Sequence, residues 1–70
     1  MYRVRDAQFV GYNKATGKNQ KLVHVDCDTN ADLPAYNAEP GTEFVMGSTA
    51  LSIATGDTFM LDSTNTWKEW

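Results

Sequence analysis

Three side chains near the end of one apolar stretch, His24, Asp26 and Asp28, are the residues whose types and spacing come closest to chemistry. An imidazole and carboxylates two residues apart share one face of an extended strand, where they can exchange protons or hold a divalent ion. The ordinary reading of the same spacing is a solvent-facing or hydrogen-bonded strand histidine, and it outweighs the chemical one. Cys27 alternates with Val23 and Val25 and is expected to be a small core residue. Asp57 and Asp62 flank a short apolar run, but no nucleophile or base is paired with them, so they read as turn aspartates. Gly47-Ser48-Thr49 is no phosphate loop, because neither a lysine nor a helical segment follows it. The sequence therefore suggests no catalytic residue, no metal site and no cofactor, and a protein that is not an enzyme.

The elements that position these residues read as short strands. Apolar runs are separated by clusters of Gly, Asn, Asp, Thr and Pro, and no stretch carries a helical apolar stripe. Residues 7–12 and 20–28 form a hairpin with a loop of about six residues, in which Gly17 supplies a positive φ. Residues 29–41, with Pro34 and Pro40, are an irregular connection. Strands follow at 43–46, 49–54, 58–62 and 66–70. Leu51, Ile53, Phe59 and Leu61 are expected to share the core face, and Gly56-Asp57 is expected to form a two-residue type II′ turn. The expectation is a single all-β domain over residues 1–70, an antiparallel meander or small sandwich of about five short strands. Within it, 1–31 form an N-terminal arm and hairpin, and 32–70 a C-terminal meander.

Seventy residues bury little surface, and a core of this size supplies only about 3–5 kcal/mol of net stability. A single cysteine cannot staple the chain, so partner subunits are the expected source of further stability. Nine acidic against six basic residues give a net charge of −3, which argues against nucleic acid as a partner. No apolar run is long enough to span a bilayer and no secretion signal is evident, so neither a membrane nor export is expected. The lone cysteine fits a reducing cytosol. Trp67 and Trp70, an odd spacing apart, point to opposite faces of the closing strand. One ring completes the subunit's own core, and the other is left for a neighbour. Tyr2 and Val4 are further interface candidates, since residues 1–6 could add to a neighbouring sheet edge as an arm.

Over residues 32–70, just over half the chain, the order Asp32-Leu33-Pro34, Pro40-Gly41-Thr42-Glu43, Thr55-Gly56-Asp57, Phe59 and Trp67 followed by Glu69 resembles a module of small bacteriophage virion proteins and of phage fibre, neck and tail ends. In those modules a Leu-Pro start, a TG(D/K)xY hairpin and a closing strand with tryptophan build a compact β-meander; here Phe59 stands where tyrosine is commoner. The resemblance implies a noncatalytic virion structural protein, made in the host bacterial cytoplasm. It would form a homo-oligomer, a trimer by preference, and dock on other phage virion proteins as a head decoration or fibre, or as a neck or tail component. The alternative is a small monomeric module that recognises one protein partner.

Overall fold

Clean alternation over residues 20–28 gives this stretch one apolar and one mostly polar face. The computed structural model describes residues 1–70. Its strands are β1 (Tyr2–Asn13), β2 (Lys18–Cys27), β3 (Thr42–Phe44), β4 (Thr49–Ser52), β5 (Thr58–Leu61) and β6 (Trp67–Glu69), with a 3-10 turn at Asn30–Asp32. All six strands lie in one sheet in the order β1-β2-β4-β5-β6, and β3 sits beside β2 next to β4. The class is all-β, as expected. The sheet is mixed, because β2 pairs in parallel with both β3 and β4. A parallel return needs a crossover of a dozen residues or more, and the Pro-containing connection from Asp28 to Gly41 supplies it. Strand periodicity does not report pairing direction, so this was not legible in the chain. Since β2 bonds to β3 and β4, residues 1–31 and 32–70 share one sheet.

On β2, Val23, Val25 and Cys27 turn inward, as anticipated, and are buried. With Phe44, Ala50, Phe59 and Leu61, the two valines form the core. No second sheet covers them. The crossover folds over the inner face instead, placing Leu33 and Tyr36 on the core together with Tyr2, Val4 and Trp67. Trp67 fixes that cover: its indole Nε1 donates to the Pro34 carbonyl at 2.7 Å.

β4 runs with the opposite face inward from the one expected. Ala50 and Ser52 are fully buried, whereas Ile53 is exposed. Ala50 is paired with Val25 on one side and Phe59 on the other, and a small side chain fits between them. A slip of one residue exchanges every inward and outward side chain of a strand, so the misassigned register moved Leu51 and Ile53 together. Phe59 and Leu61 do face inward.

The turns use the expected residues with different lengths. Gly17 has φ 70° and closes a four-residue loop in which its N–H donates to the Asn13 carbonyl at 2.8 Å. Gly56, at φ 74°, ends a helical-type turn begun at Ser52, whose carbonyl accepts from Gly56 N–H at 2.8 Å. It is not the first residue of a two-residue turn. Residues 2–6, offered above as an arm for a neighbouring sheet edge, belong to β1 and pair with β2 of the same chain.

Where β3 and β4 succeed one another along the same side of β2, the ladder has a seam. Val23 falls in it, between Lys21 paired to β3 and His24 paired to β4. The hydroxyl of Ser48, itself fully buried, accepts the Val23 N–H at 3.1 Å.

Candidate functional site

β1 carries two register shifts against β2, one between Val4 and Asp6 and one between Phe9 and Gly11. A bulge re-aims the extra residue. The first places Arg5 over the outer face, where its guanidinium forks onto Asp26: Nε donates to Oδ2 and Nη2 to Oδ1, both at 2.8 Å. Nothing in the sequence marked Arg5 as the partner of Asp26, because a bulge leaves no periodic trace. His24 lies beside the pair, with Nε2 3.4 Å from Asp26 Oδ1 and Nδ1 2.6 Å from the Thr49 hydroxyl.

His24 and Asp26 are therefore neighbours, as their spacing required. The structure adds a guanidinium to them, not a second acid. Asp28 lies past the end of β2 with its carboxylate exposed. No group of three or more His, Cys, Asp and Glu side chains is gathered to hold a metal ion. The Arg5 fork holds the Asp26 carboxyl below its ordinary range, against the opposing effect of desolvation. An aspartate depressed in the folded state contributes stability above about pH 4, the unfolded value, and loses it as the pH falls through the folded value. Arg5→Met is accordingly expected to flatten the dependence of the urea midpoint on pH below about 4 while the wild type falls steadily. Identical acid limbs for the two proteins would remove Asp26 as a source of acid sensitivity.

The remaining chemical candidates are structural in their contacts. Cys27 is buried, its thiol faces the Leu51 carbonyl at 3.5 Å, and burial pushes its pKa up, away from the reactive thiolate. Asp57 accepts from Asn30 at 3.3 Å, tying its turn to the 3-10 turn. Asp62 organises the β5–β6 turn: its Oδ1 accepts from the N–H groups of Thr64 and Thr66 at 2.8 and 3.0 Å, and these bonds with the Thr64 hydroxyl lower its pKa. The fold does not bring Asp57 and Asp62 into one site.

Of the interface candidates, Tyr2 and Val4 pack against their own core, and the Tyr2 hydroxyl donates to Glu39 at 3.0 Å. Trp67 also packs inward, while Trp70 is 75% exposed. The far half of β1 adds a second apolar surface: Phe9, Val10 and Tyr12 are 62%, 50% and 56% exposed. Phe9 faces inward opposite Lys21 but remains largely uncovered, and Val10 stands at the second bulge. One signal pointed to them, since β1 carries large apolar residues on both faces and only one face of a single sheet can be covered. Comparison with protein-family models, with curated proteins and with solved structures finds no match to this chain.

Proposed function

We propose that this protein is a noncatalytic structural subunit that works by docking, binding copies of itself and a larger assembly. The observation that carries this is the distribution of large apolar side chains. Eight are exposed, including Trp70 and the Phe9, Val10 and Tyr12 group, against a core cluster of six residues. Exposed aromatic and aliphatic side chains gathered along one half of β1 suit an interaction surface, and tryptophan is among the residues most enriched in interface hot spots. The resemblance of residues 32–70 to phage virion modules makes a bacteriophage particle the assembly, and a trimer of this chain the favoured unit, with Trp70 at its contact.

The test is the absolute mass of the purified chain by light scattering, with Trp70→Ala and Phe9→Ser beside it. A trimer or larger ring that dissociates in either variant is the expected result, together with co-purification with particles at high copy number. A monomer at every concentration, absent from particles, would reject the proposal.

One observation favours the second reading, a monomeric module for a single protein partner. The chain exposes 4360 Å², and a folded monomer of its 7.8 kDa mass exposes about 4,400 Å². A single copy is thus closed without a neighbour. A folded monomer unaffected by Trp70→Ala is the result that would select this reading.

A further inference from the structure

Glu43 is a buried acid without a cation. It is 6% exposed, sits on β3 paired with Gln20 of β2, and makes no ion pair. Its single side-chain hydrogen bond comes from Asn13 Nδ2, which donates to Oε1 at 3.0 Å. Oε2 has no such partner and is not sealed from solvent. The carboxylate forms part of the wall of an open pocket of about 330 Å³ between the β1–β2 turn, β3 and the β5–β6 turn. A carboxylate accepts about four hydrogen bonds, and burying its charge is costly unless it is paired.

We infer that this pocket receives a lysine side chain of the docking partner. The other walls match the two halves of that side chain. Asn13, Thr16 and Gln20 are among the other polar residues that line the pocket, which suits an ammonium with three donors. Tyr36 and Met46 offer an apolar wall for the methylene stem, which lysine buries readily. A guanidinium prefers both oxygens of a carboxylate for its fork, and Asn13 already occupies Oε1. A divalent metal would be only half neutralised by one acid. Lys18, on the same face of β2 as Gln20, makes no ion pair with Glu43.

The inferred lysine rests on the docking function proposed above, yet the two fail separately, because the probe is a small molecule and does not depend on oligomeric mass. The amide spectrum of the ¹⁵N-labelled chain is titrated with Nα-acetyl-lysine N-methylamide and, in parallel, with the norleucine analogue that lacks the ammonium. The lysine compound is expected to shift the amides of Asn13, Gln20, Glu43 and Met46 saturably in the millimolar range, and the norleucine compound to leave them in place. Glu43→Gln, with its spectrum still dispersed, is expected to bind at least tenfold more weakly. Should that variant not fold, the contrast between the two compounds on the wild-type chain decides alone. Equal responses to both compounds, no response to either, or unchanged affinity in a folded Glu43→Gln would overturn the site. A response that appears only in Lys18→Ala would show Lys18 to be the occupant and overturn it as well.

Discussion

Trp67→Ala is expected to leave the chain largely unfolded at room temperature, whereas Trp70→Ala leaves the stability of the single subunit within about 0.5 kcal/mol of wild type. Trp67 packs on the core cluster and holds the crossover by its bond to the Pro34 carbonyl. Losing a packed tryptophan costs about 3–5 kcal/mol, and partial exposure places Trp67 toward the lower end. That equals most of what a core of this size supplies, about 3–5 kcal/mol. Trp67→Phe separates the two contributions. It keeps a smaller ring on the core and removes the donor, for an expected loss of about 1–2 kcal/mol, less than for alanine. Urea unfolding followed by circular dichroism reads all three variants. A stable Trp67→Ala would mean that the crossover is held by other contacts and that Trp67 is free for a partner.

The second large effect belongs to a residue with no chemical role. Ser48→Ala removes the acceptor of the Val23 N–H at the seam between β3 and β4. Val23 is buried, so its N–H has no water to turn to, and the expected cost is about 1–3 kcal/mol. The loss is local in origin, which gives it a signature beyond a lower urea midpoint. Under native conditions the Val23 amide should exchange roughly ten- to a hundredfold faster than in wild type. Unchanged protection of Val23 in a folded Ser48→Ala would show that another group accepts this donor. Trimming two carbons elsewhere in the core, as in Val25→Ala, lowers global stability without singling out this amide.

Both effects illustrate where the chain could be read and where it could not. The inward face of β2 and the inward Phe59 and Leu61 followed from a period of two, because alternation along a strand is a local property. Gly17 and Gly56 were identifiable as positive-φ positions for the same reason, although the lengths of their turns were not. The face of β4 was misjudged. Its sequence offers Leu51 and Ile53 on one side and Ala50 and Ser52 on the other, and hydrophobicity alone selects the larger pair. The fold turned the smaller pair inward: Ala50 stands buried between Val25 and Phe59.

By itself, the sequence determined the all-β class, the absence of a helical segment, the sites of the turns and the inward set of β2, all of which depend on neighbours a few residues apart. Only the tertiary structure decided that β2 pairs in parallel with β3 and β4, that Arg5 reaches Asp26 over a bulge, that Ser48 closes the seam at Val23, and that Glu43 is buried without a cation. Each of these joins residues from about twenty positions apart upward or turns on a register shift, and strand periodicity is the same whichever partner, direction or register a strand finds.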